Sequence, residues 1–370
     1  MTQARTLHGR ILTATGWMRG EIEFDQRVRS LRATPDGHPD GDLPLILPGF
    51  IDLHVHGAAG VDIMQGGDAI RTVARTHARH GTTALLGTTM TAHEDDIVQA
   101  LRGLAGAIGT RDPGTARVLG VHLEGPFISI ERLGAQPPLV VEATIEQVER
   151  LHAIAPIRVL TLAPEIGNHR ALIPRLNSLG IRVQLGHSAG TYDDGVAALE
   201  AGAAGFTHLF NGMTGVDHYH PGIATAALAH AQYAELIPDL EHVHPGAIRT
   251  ALRAIPRLYC VTDATAATGM PDGEYALGSQ RVFKCLGCVR LAAGSLAGSA
   301  LTMDQALRNL VSLGLELADA SNRLSRYPAD YLGLHDRGRL QVDSWADVVV
   351  LDAQLRVRQV FVEGDEVEPA

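Results

Sequence analysis

The chain is 370 residues long, 45% hydrophobic and 19% charged, and its formal net charge at pH 7 is −10. That composition predicts a compact protein with a large core, and the negative charge argues against a nucleic-acid or acidic-membrane partner. Three cysteines are too few, and odd in number, for a disulfide framework. The N-terminus lacks a signal pattern and no apolar run reaches the length of about 18 residues that a membrane span needs, so we expect a cytoplasmic protein.

Short strand-like segments occur near both ends of the chain, such as residues 346–352. Neither end buries enough apolar surface to be stable alone. We therefore expect residues 1–47 and 341–370 to pair into one small β-sandwich domain. Residues 48–340 would then form a second, larger domain between them.

Within that larger domain, apolar runs typical of buried strands alternate with amphipathic helical stretches. The runs are Phe50–His54, Thr82–Gly87, Val118–Glu124, Arg158–Leu162, Ile181–His187, Gly205–Phe210, Leu236–Val243 and Leu258–Asp263. Helical patterns fall at Ala69–His80, Ile145–Ile154 and Asp193–Ala201. Runs in this number and at this spacing predict an α/β fold, a TIM-like (β/α)8 barrel.

Polar side chains lie at the ends of several runs, where the active site of such a barrel is built. Residues two apart in a strand face the same side, so His54 and His56 present two imidazoles to one point. Glu124, His187 and His208 supply three further ligands, which suits a catalytic divalent metal with room for water. The two groups together predict one or two ions per subunit, bridged by Glu124. Taken singly, Glu124 could cap the next helix and each histidine could be a core residue.

Asp263 follows the last run and is the candidate catalytic residue. Beside a metal-activated water it can accept a proton and pass it to a leaving amine, and capping the next turn is the alternative. Lys284 is the only lysine, so no barrel lysine is available for carbamylation between two metals. Cys285 and Cys288 have zinc or redox spacing, but no second pair accompanies them. We expect them to lie in a hairpin without a site.

A set of segments spread over most of the chain carries a family resemblance. They are GFIDLHVHG (49–57), HLEGPF (122–127), GHS (186–188), THLFNGM (207–213), VTDATAATGMPDGEYALG (261–278) and LAGSALTMDQALRNLV (296–311). In type and order they resemble the N-acetylglucosamine-6-phosphate deacetylases of the amidohydrolase superfamily. The resemblance implies that Glu124, His187 and His208 hold the main divalent metal, with zinc expected first and iron or another metal as alternatives. It also implies that Asp263 is the acid/base and that the chain forms a homodimer.

The resemblance further implies a set of substrate contacts: Ala135, Gln136, Asn211, Gly212, Tyr219, His242, Leu296, Ala297 and Gly298. Gln136 stands where the family usually has a histidine that polarises the amide carbonyl. Tyr219 stands where the family has an arginine that binds the sugar phosphate across the dimer interface. Glutamine donates a hydrogen bond without charge, and tyrosine lacks the bidentate cation that phosphate prefers. Alternation also places His242 and His244 on one strand face, and we interpret both as substrate contacts.

The preferred hypothesis is metal-dependent hydrolysis of the acetamide of an N-acetylated amino sugar, with N-acetylglucosamine 6-phosphate as the leading substrate. An unphosphorylated or otherwise modified N-acetyl amino sugar in a biosynthetic pathway is the alternative, and it rests on Gln136 and Tyr219. Deamination of a purine-like ring is a third hypothesis, against which the motifs argue. Metal binding without catalysis is a fourth, against which the intact ligand set and Asp263 argue.

Overall fold

The computed structural model describes residues 4–36 and 43–370, so residues 1–3 and 37–42 of the predicted end domain lie outside the described residues. The described chain contains a parallel barrel, one sheet built from both chain ends, and a small antiparallel sheet. Within these residues, no helix is both long enough and apolar enough to cross a lipid bilayer. The predicted α/β barrel with an additional sheet built from both chain ends is confirmed.

A barrel strand overlaps each predicted apolar run. The strands are Phe50–Val55, Thr82–Thr88, Arg117–Glu124, Ile157–Leu162, Arg182–Leu185, Gly205–Phe206, Glu235–Leu236 and Tyr259–Cys260. The first six form one parallel sheet and the last two form a parallel pair. Backbone hydrogen bonds close the ring, from Leu209 N–H to Glu235 O at 2.8 Å and from Asp263 N–H to His54 O at 2.9 Å.

Helices alternate with the barrel strands along the chain, and the last three follow the eighth strand in succession. They are Ala69–Arg79, Glu94–Ala105, Ile145–Ile154, His169–Ser178, Tyr192–Glu200, Ile223–His230, Pro245–Ala254, Met303–Ser312, Leu317–Leu324 and Arg326–Tyr331. The predicted helices match three of these to within one residue at each end. Local capping explains two of the starts: Thr144 Oγ1 accepts the N–H of Gln147, and Thr191 and Asp194 form a reciprocal capping box.

The seventh predicted run is wrong beyond its first residue. The strand is only Glu235–Leu236, and Pro238 lacks the N–H that a continuing ladder needs. The Asp239 carboxylate then accepts the backbone N–H of His242 at 2.8 Å, which stabilises a turn. His244 caps the helix Pro245–Ala254 through Nδ1. His242 and His244 therefore do not share a strand face.

Both chain ends contribute to one sheet, in the order Asp365–Val367, Val357–Val362, Val348–Leu351, Leu45–Pro48, Arg5–Thr13, Gly16–Phe24 and Val28–Pro35. This sheet curls onto itself. Phe24 and Phe361 come from strands separated by three others, yet their rings meet edge to face with centroids 5.1 Å apart. The side chains inside the curl form a small core of their own, separate from the barrel core. The predicted sandwich is thus a single sheet folded over.

A buried ionic cluster joins this sheet to the barrel. The Glu363 carboxylate accepts hydrogen bonds from Arg117 at 2.6 Å and from Arg111 at 3.1 Å. Arg337 contacts the same carboxylate and also Asp347, at 2.5 Å. The pKa of Glu363 is lowered to about 2, because the guanidinium groups of Arg117 and Arg337 outweigh burial, which raises it. Glu363 therefore remains ionised in this cluster.

The small antiparallel sheet follows the last barrel strand and consists of Gly273–Leu277, Gln280–Cys285 and Cys288–Leu291. Cys285 and Cys288 pair across a tight turn, as expected of a hairpin, and form no disulfide. Lys284 Nζ donates to the carbonyl oxygens of Met270 at 2.6 Å and Ala267 at 3.2 Å. The single lysine therefore holds this sheet against the loop before it.

Candidate metal and active site

Glu124, His187 and His208 meet at the carboxyl ends of the barrel strands. Glu124 ends the third strand, and the two histidines follow the fifth and sixth. His187 Nε2 lies 3.2 Å and His208 Nε2 lies 3.0 Å from Glu124 Oε1, and the two nitrogens are 3.1 Å apart. All three side chains are buried. Three donor atoms from distant parts of the chain thus converge on one point.

His54, His56 and Asp263 form a second group on the other side of Glu124. The Nε2 atoms of the two histidines are 3.1 Å apart. His56 Nε2 lies 3.2 Å from both Glu124 Oε2 and Asp263 Oδ1, and His54 Nε2 lies 3.5 Å from each. Glu124 therefore turns one oxygen toward each group. That is the arrangement expected of a carboxylate that bridges two cation positions.

The ring orientations in the first group fit a cation. His187 Nδ1 lies 2.8 Å from the carbonyl oxygen of Arg132, and His208 Nδ1 lies 3.1 Å from that of Asn211. A carbonyl oxygen only accepts, so both Nδ1 atoms carry the proton. Both Nε2 atoms then direct lone pairs at each other and at a carboxylate oxygen. These lone pairs repel unless a cation lies among them, and two imidazoles with a carboxylate suit a divalent transition metal.

The charges of the cluster point the same way. Burial raises the pKa of Glu124, but positive charge on the neighbouring imidazoles, His54 first among them, holds it well below its ordinary value. Burial also raises the pKa of Asp263, but His54 and His56 lower it to about 2. Both carboxylates are therefore ionised at neutral pH. Burial lowers the pKa of His56, yet Asp263 and Glu124 raise it to about 9, so positive charge is favoured here.

Three residues of the cluster have a backbone conformation that residues other than glycine rarely adopt. The angle φ is 46° at His187, 27° at His208 and 51° at Asp263. Each of them comes shortly after its barrel strand, at the point where the chain turns outward. Such conformations cost about 1–3 kcal/mol each and concentrate at functional sites.

A cleft adjoins the cluster, and most of the predicted substrate contacts line it. The walls include Ala135, Gln136, Asn211, Gly212, His242, Leu296 and Gly298, together with Met90, Gly134 and Leu277, which the sequence did not single out. Among the described residues, Ala297 and Tyr219 are not part of this lining. Ala297 is buried in the core beside the small sheet. Tyr219 is 78% exposed on the loop beyond the sixth strand.

Two lining side chains are held by protein partners. Gln136 Nε2 donates to Glu124 Oε2 at 2.8 Å, and its Oε1 accepts the backbone N–H of Thr91 at 2.7 Å. The Gln136 amide therefore orients the Glu124 carboxylate. His242 Nδ1 lies 2.6 Å from Asp239 Oδ2. Burial lowers the pKa of His242, but Asp239 raises it overall, which favours a positive charge facing the cleft.

Two buried polar residues received no role from the sequence. Glu235 Oε2 lies 3.1 Å from His54 Nδ1, yet Glu235 comes just before an apolar run and so gave no pattern. His122 is the first residue of the HLEGPF motif and lies two residues before Glu124. Its Nδ1 lies 3.1 Å from Leu53 O and its Nε2 lies 2.7 Å from Thr161 Oγ1. Both nitrogens of His122 are thus satisfied, and burial lowers its pKa to about 4.

Comparison with known proteins shows which family this chain resembles in sequence. The amidohydrolase family matches residues 45–367. N-acetylgalactosamine-6-phosphate deacetylase of Escherichia coli O157:H7 is 40% identical over 365 residues, which cover 96% of this chain and 97% of the relative. N-acetylglucosamine-6-phosphate deacetylase of Lysinibacillus sphaericus is 37% identical over 356 residues, covering 94% and 92%.

Solved structures agree with these relatives. N-acetylglucosamine-6-phosphate deacetylase of Thermotoga maritima superposes with a TM-score of 0.91 at 29% identity, over 100% of both chains. A mutant of the Mycobacterium smegmatis deacetylase, in complex with N-acetyl-D-glucosamine-6-phosphate, superposes with a TM-score of 0.90 at 32% identity, over 98% of this chain and 99% of that one. The chain therefore belongs to the amidohydrolase family and, within it, to the N-acetylglucosamine-6-phosphate deacetylase family that its motifs resemble.

Proposed function

We propose that this protein hydrolyses the acetamide of an N-acetylhexosamine 6-phosphate, in the first place N-acetylglucosamine 6-phosphate, to the free amine and acetate. The observation that carries the proposal is the convergence of Glu124, His187 and His208 beside Asp263 on one wall of a cleft. Relatives with high coverage are named as deacetylases of 6-phosphorylated sugars. They favour the phosphorylated substrate over the unphosphorylated alternative.

The proposed cofactor is a divalent metal, with zinc expected first and iron as an alternative. Glu124 Oε1 with His187 and His208 would hold the main ion, and Glu124 Oε2 with His54, His56 and Asp263 would hold a second. An ion in this site supplies the positive charge that polarises the amide carbonyl and lowers the pKa of water.

The catalytic steps assigned to the chain are proton transfers at Asp263. Its carboxylate is ionised because its pKa is about 2. One carboxylate oxygen accepts a proton from the attacking water, and the same group then gives that proton to the nitrogen of the leaving amine. Gln136 keeps Glu124 in its bridging orientation through the 2.8 Å hydrogen bond. His242 presents a positive charge to an anionic group of the substrate.

The test measures acetate release by the zinc-loaded protein. N-acetylglucosamine 6-phosphate, its galactosamine epimer and unphosphorylated N-acetylglucosamine are compared by kcat/KM. We expect turnover of a 6-phosphorylated sugar by the wild type and by Glu149→Gln, a change in an exposed ion pair with Arg175. Glu124→Gln should be inactive, because it removes the charge between the two groups. The proposal would be rejected if neither phosphorylated sugar released acetate.

We also infer a homodimer and a cytoplasmic location. The loop beyond the sixth strand exposes Val216 by 63% and Tyr219 by 78%, and a second copy of the chain would cover these side chains. All three cysteines are free, which suits a reducing compartment. Light scattering after size-exclusion chromatography tests the dimer, and a monomeric mass at micromolar concentration would reject it.

A further inference from the structure

Glu235 is a carboxylate enclosed completely by the barrel core. Its Oε2 lies 3.1 Å from His54 Nδ1 and accepts the backbone N–H of His208 at 3.4 Å. Its Oε1 accepts the hydroxyl hydrogen of Tyr259 at 3.1 Å. Burying an ionised carboxylate in such a core costs free energy unless hydrogen bonds or a positive charge compensate it. One side chain thus contacts a residue from each of the two cation-binding groups.

The contact with His54 determines which ring nitrogen carries the proton. A carboxylate accepts, so the proton is on Nδ1, and in the neutral imidazole, the form that binds a metal, the lone pair is then on Nε2. That Nε2 is the atom that faces Glu124 Oε2 and Asp263 Oδ1, at 3.5 Å from each. Glu235 therefore selects the form of His54 that can bind a cation.

The other group does not depend on a side chain in this way. His187 and His208 donate from Nδ1 to the backbone carbonyls of Arg132 and Asn211. His56 Nδ1 has no hydrogen-bond partner among the described residues. Of the four histidines that face Glu124, His54 is the one whose ring is oriented by a removable carboxylate.

Glu235 itself is badly placed to be a ligand. His54, His122 and Glu235 lie close enough together to form a metal group by distance alone. However, both nitrogens of His122 are occupied, by Leu53 O and by Thr161 Oγ1. Both oxygens of Glu235 are occupied as well, as described above. The polar atoms on this side of His54 therefore orient its ring through hydrogen bonds and do not form a further metal site.

We propose that Glu235 is a positioning residue that makes the group of His54, His56 and Asp263 competent to bind a second divalent cation. The proposal rests on the proposed function, because it assumes that the cluster binds metal. Carboxylates that orient a histidine ligand typically contribute about 10–100-fold to metal affinity. The main position, formed by Glu124, His187 and His208, would bind its ion without Glu235.

The experiment titrates the metal-depleted full-length chain with Zn²⁺ and measures stoichiometry and affinity for wild type, Glu235→Gln and Tyr259→Phe. Glu235→Gln keeps the shape but no longer requires the proton on His54 Nδ1. Tyr259→Phe removes the contact to Oε1 and the 2.6 Å hydrogen bond that Gln184 Nε2 donates to the hydroxyl, but it leaves the contact between Glu235 Oε2 and His54 Nδ1, and it is the matched control. We expect two ions in the wild type and in Tyr259→Phe. In Glu235→Gln the second ion should bind about 10–100-fold more weakly, with the first ion unchanged.

Glu235→Asp is a second variant should Glu235→Gln fail to fold, as judged by near-ultraviolet circular dichroism. It keeps the charge but withdraws it from His54, and we expect the same selective loss. The proposal is overturned by a single ion in the saturated wild type, by unchanged binding in both Glu235 variants, or by equal weakening of both ions. Acetate release by the wild type is measured separately, so an active enzyme with one ion would reject this proposal and leave the proposed function standing.

Discussion

Replacing Asp263 with asparagine removes a charge and a proton acceptor while preserving the shape of the side chain. Asp263 Oδ1 lies 3.2 Å from His56 Nε2 and 3.5 Å from His54 Nε2. Its pKa is about 2, so the wild-type group is a carboxylate throughout the neutral range. A carboxamide does not accept a proton at that pH, and both proposed proton transfers use this group.

The expected loss of kcat follows from the usual size of general acid–base catalysis. A positioned general acid or base contributes about 10²–10⁴-fold to a rate. We expect Asp263→Asn to lower kcat by about 10³-fold, which corresponds to about 4 kcal/mol of activation free energy. The main ion should remain, because the contacts among Glu124, His187 and His208 do not involve Asp263.

The assay is acetate release at saturating N-acetylglucosamine 6-phosphate, with metal content measured on the same samples. Asp68→Asn is the matched control, since the Asp68 side chain is 92% exposed. The control should match the wild type in rate and in metal content. A kcat for Asp263→Asn within about tenfold of the wild type would refute the assignment, because general acid–base catalysis is larger than that. Loss of the main ion would refute the reasoning about the metal instead.

Three further outcomes are expected. Gln136→Leu removes the donor to Glu124 and leaves the buried N–H of Thr91 unpaired, so unfolding by denaturant should show a loss of about 1–3 kcal/mol, and competition with a chelator should show weaker metal binding. Dialysis against a chelator should abolish acetate release and lower the melting temperature, and added zinc should restore both, because the ion binds only the folded cluster. Glu363→Gln should destabilise the protein at pH 7 by about 3 kcal/mol, since it breaks a buried ionic cluster. Because the pKa of Glu363 is lowered from 4.5 to about 2, its ionised form stabilises the fold above pH 4.5, and this stabilisation is lost as the pH falls toward about 2. The free energy of unfolding of Glu363→Gln should not show this decrease with falling pH. Glu366→Gln, in an ion pair with 42% exposed side chains, is the control and should change stability by less than about 1 kcal/mol.

The barrel could be predicted because its strands are buried on both faces and appear as continuous apolar runs. Phe50–Val55 and Arg117–Glu124 match their runs closely for this reason. The later strands are shorter than their runs: Gly205–Phe206 and Tyr259–Cys260 have two residues each. The apolar residues beyond them are buried by packing in loops, and a pattern of burial does not separate the two cases.

The convergence of the cluster could be anticipated from strand ends, whereas the partners of its side chains could not. Glu235 adjoins an apolar run without a motif, and its contact with His54 depends on the closure of the barrel. Gln136 was predicted to contact the substrate and it lines the cleft, but no pattern in the sequence indicated that its amide also bonds to Glu124 and Thr91. Tyr219 lies exposed on a loop, and a contact made there by a separate molecule would leave no signal in the local sequence.

The left-handed backbone at His187, His208 and Asp263 has a consequence for how this protein can evolve. Glycine adopts such angles freely, so exchange of any of the three for glycine would relax the turn while deleting the side chain that does the chemistry. Selection for thermodynamic stability therefore favours glycine at these positions, whereas selection for turnover favours the present residues. In a descendant that had lost the hydrolytic activity, we expect glycine to appear at these positions early. The result would be a more stable but inactive protein.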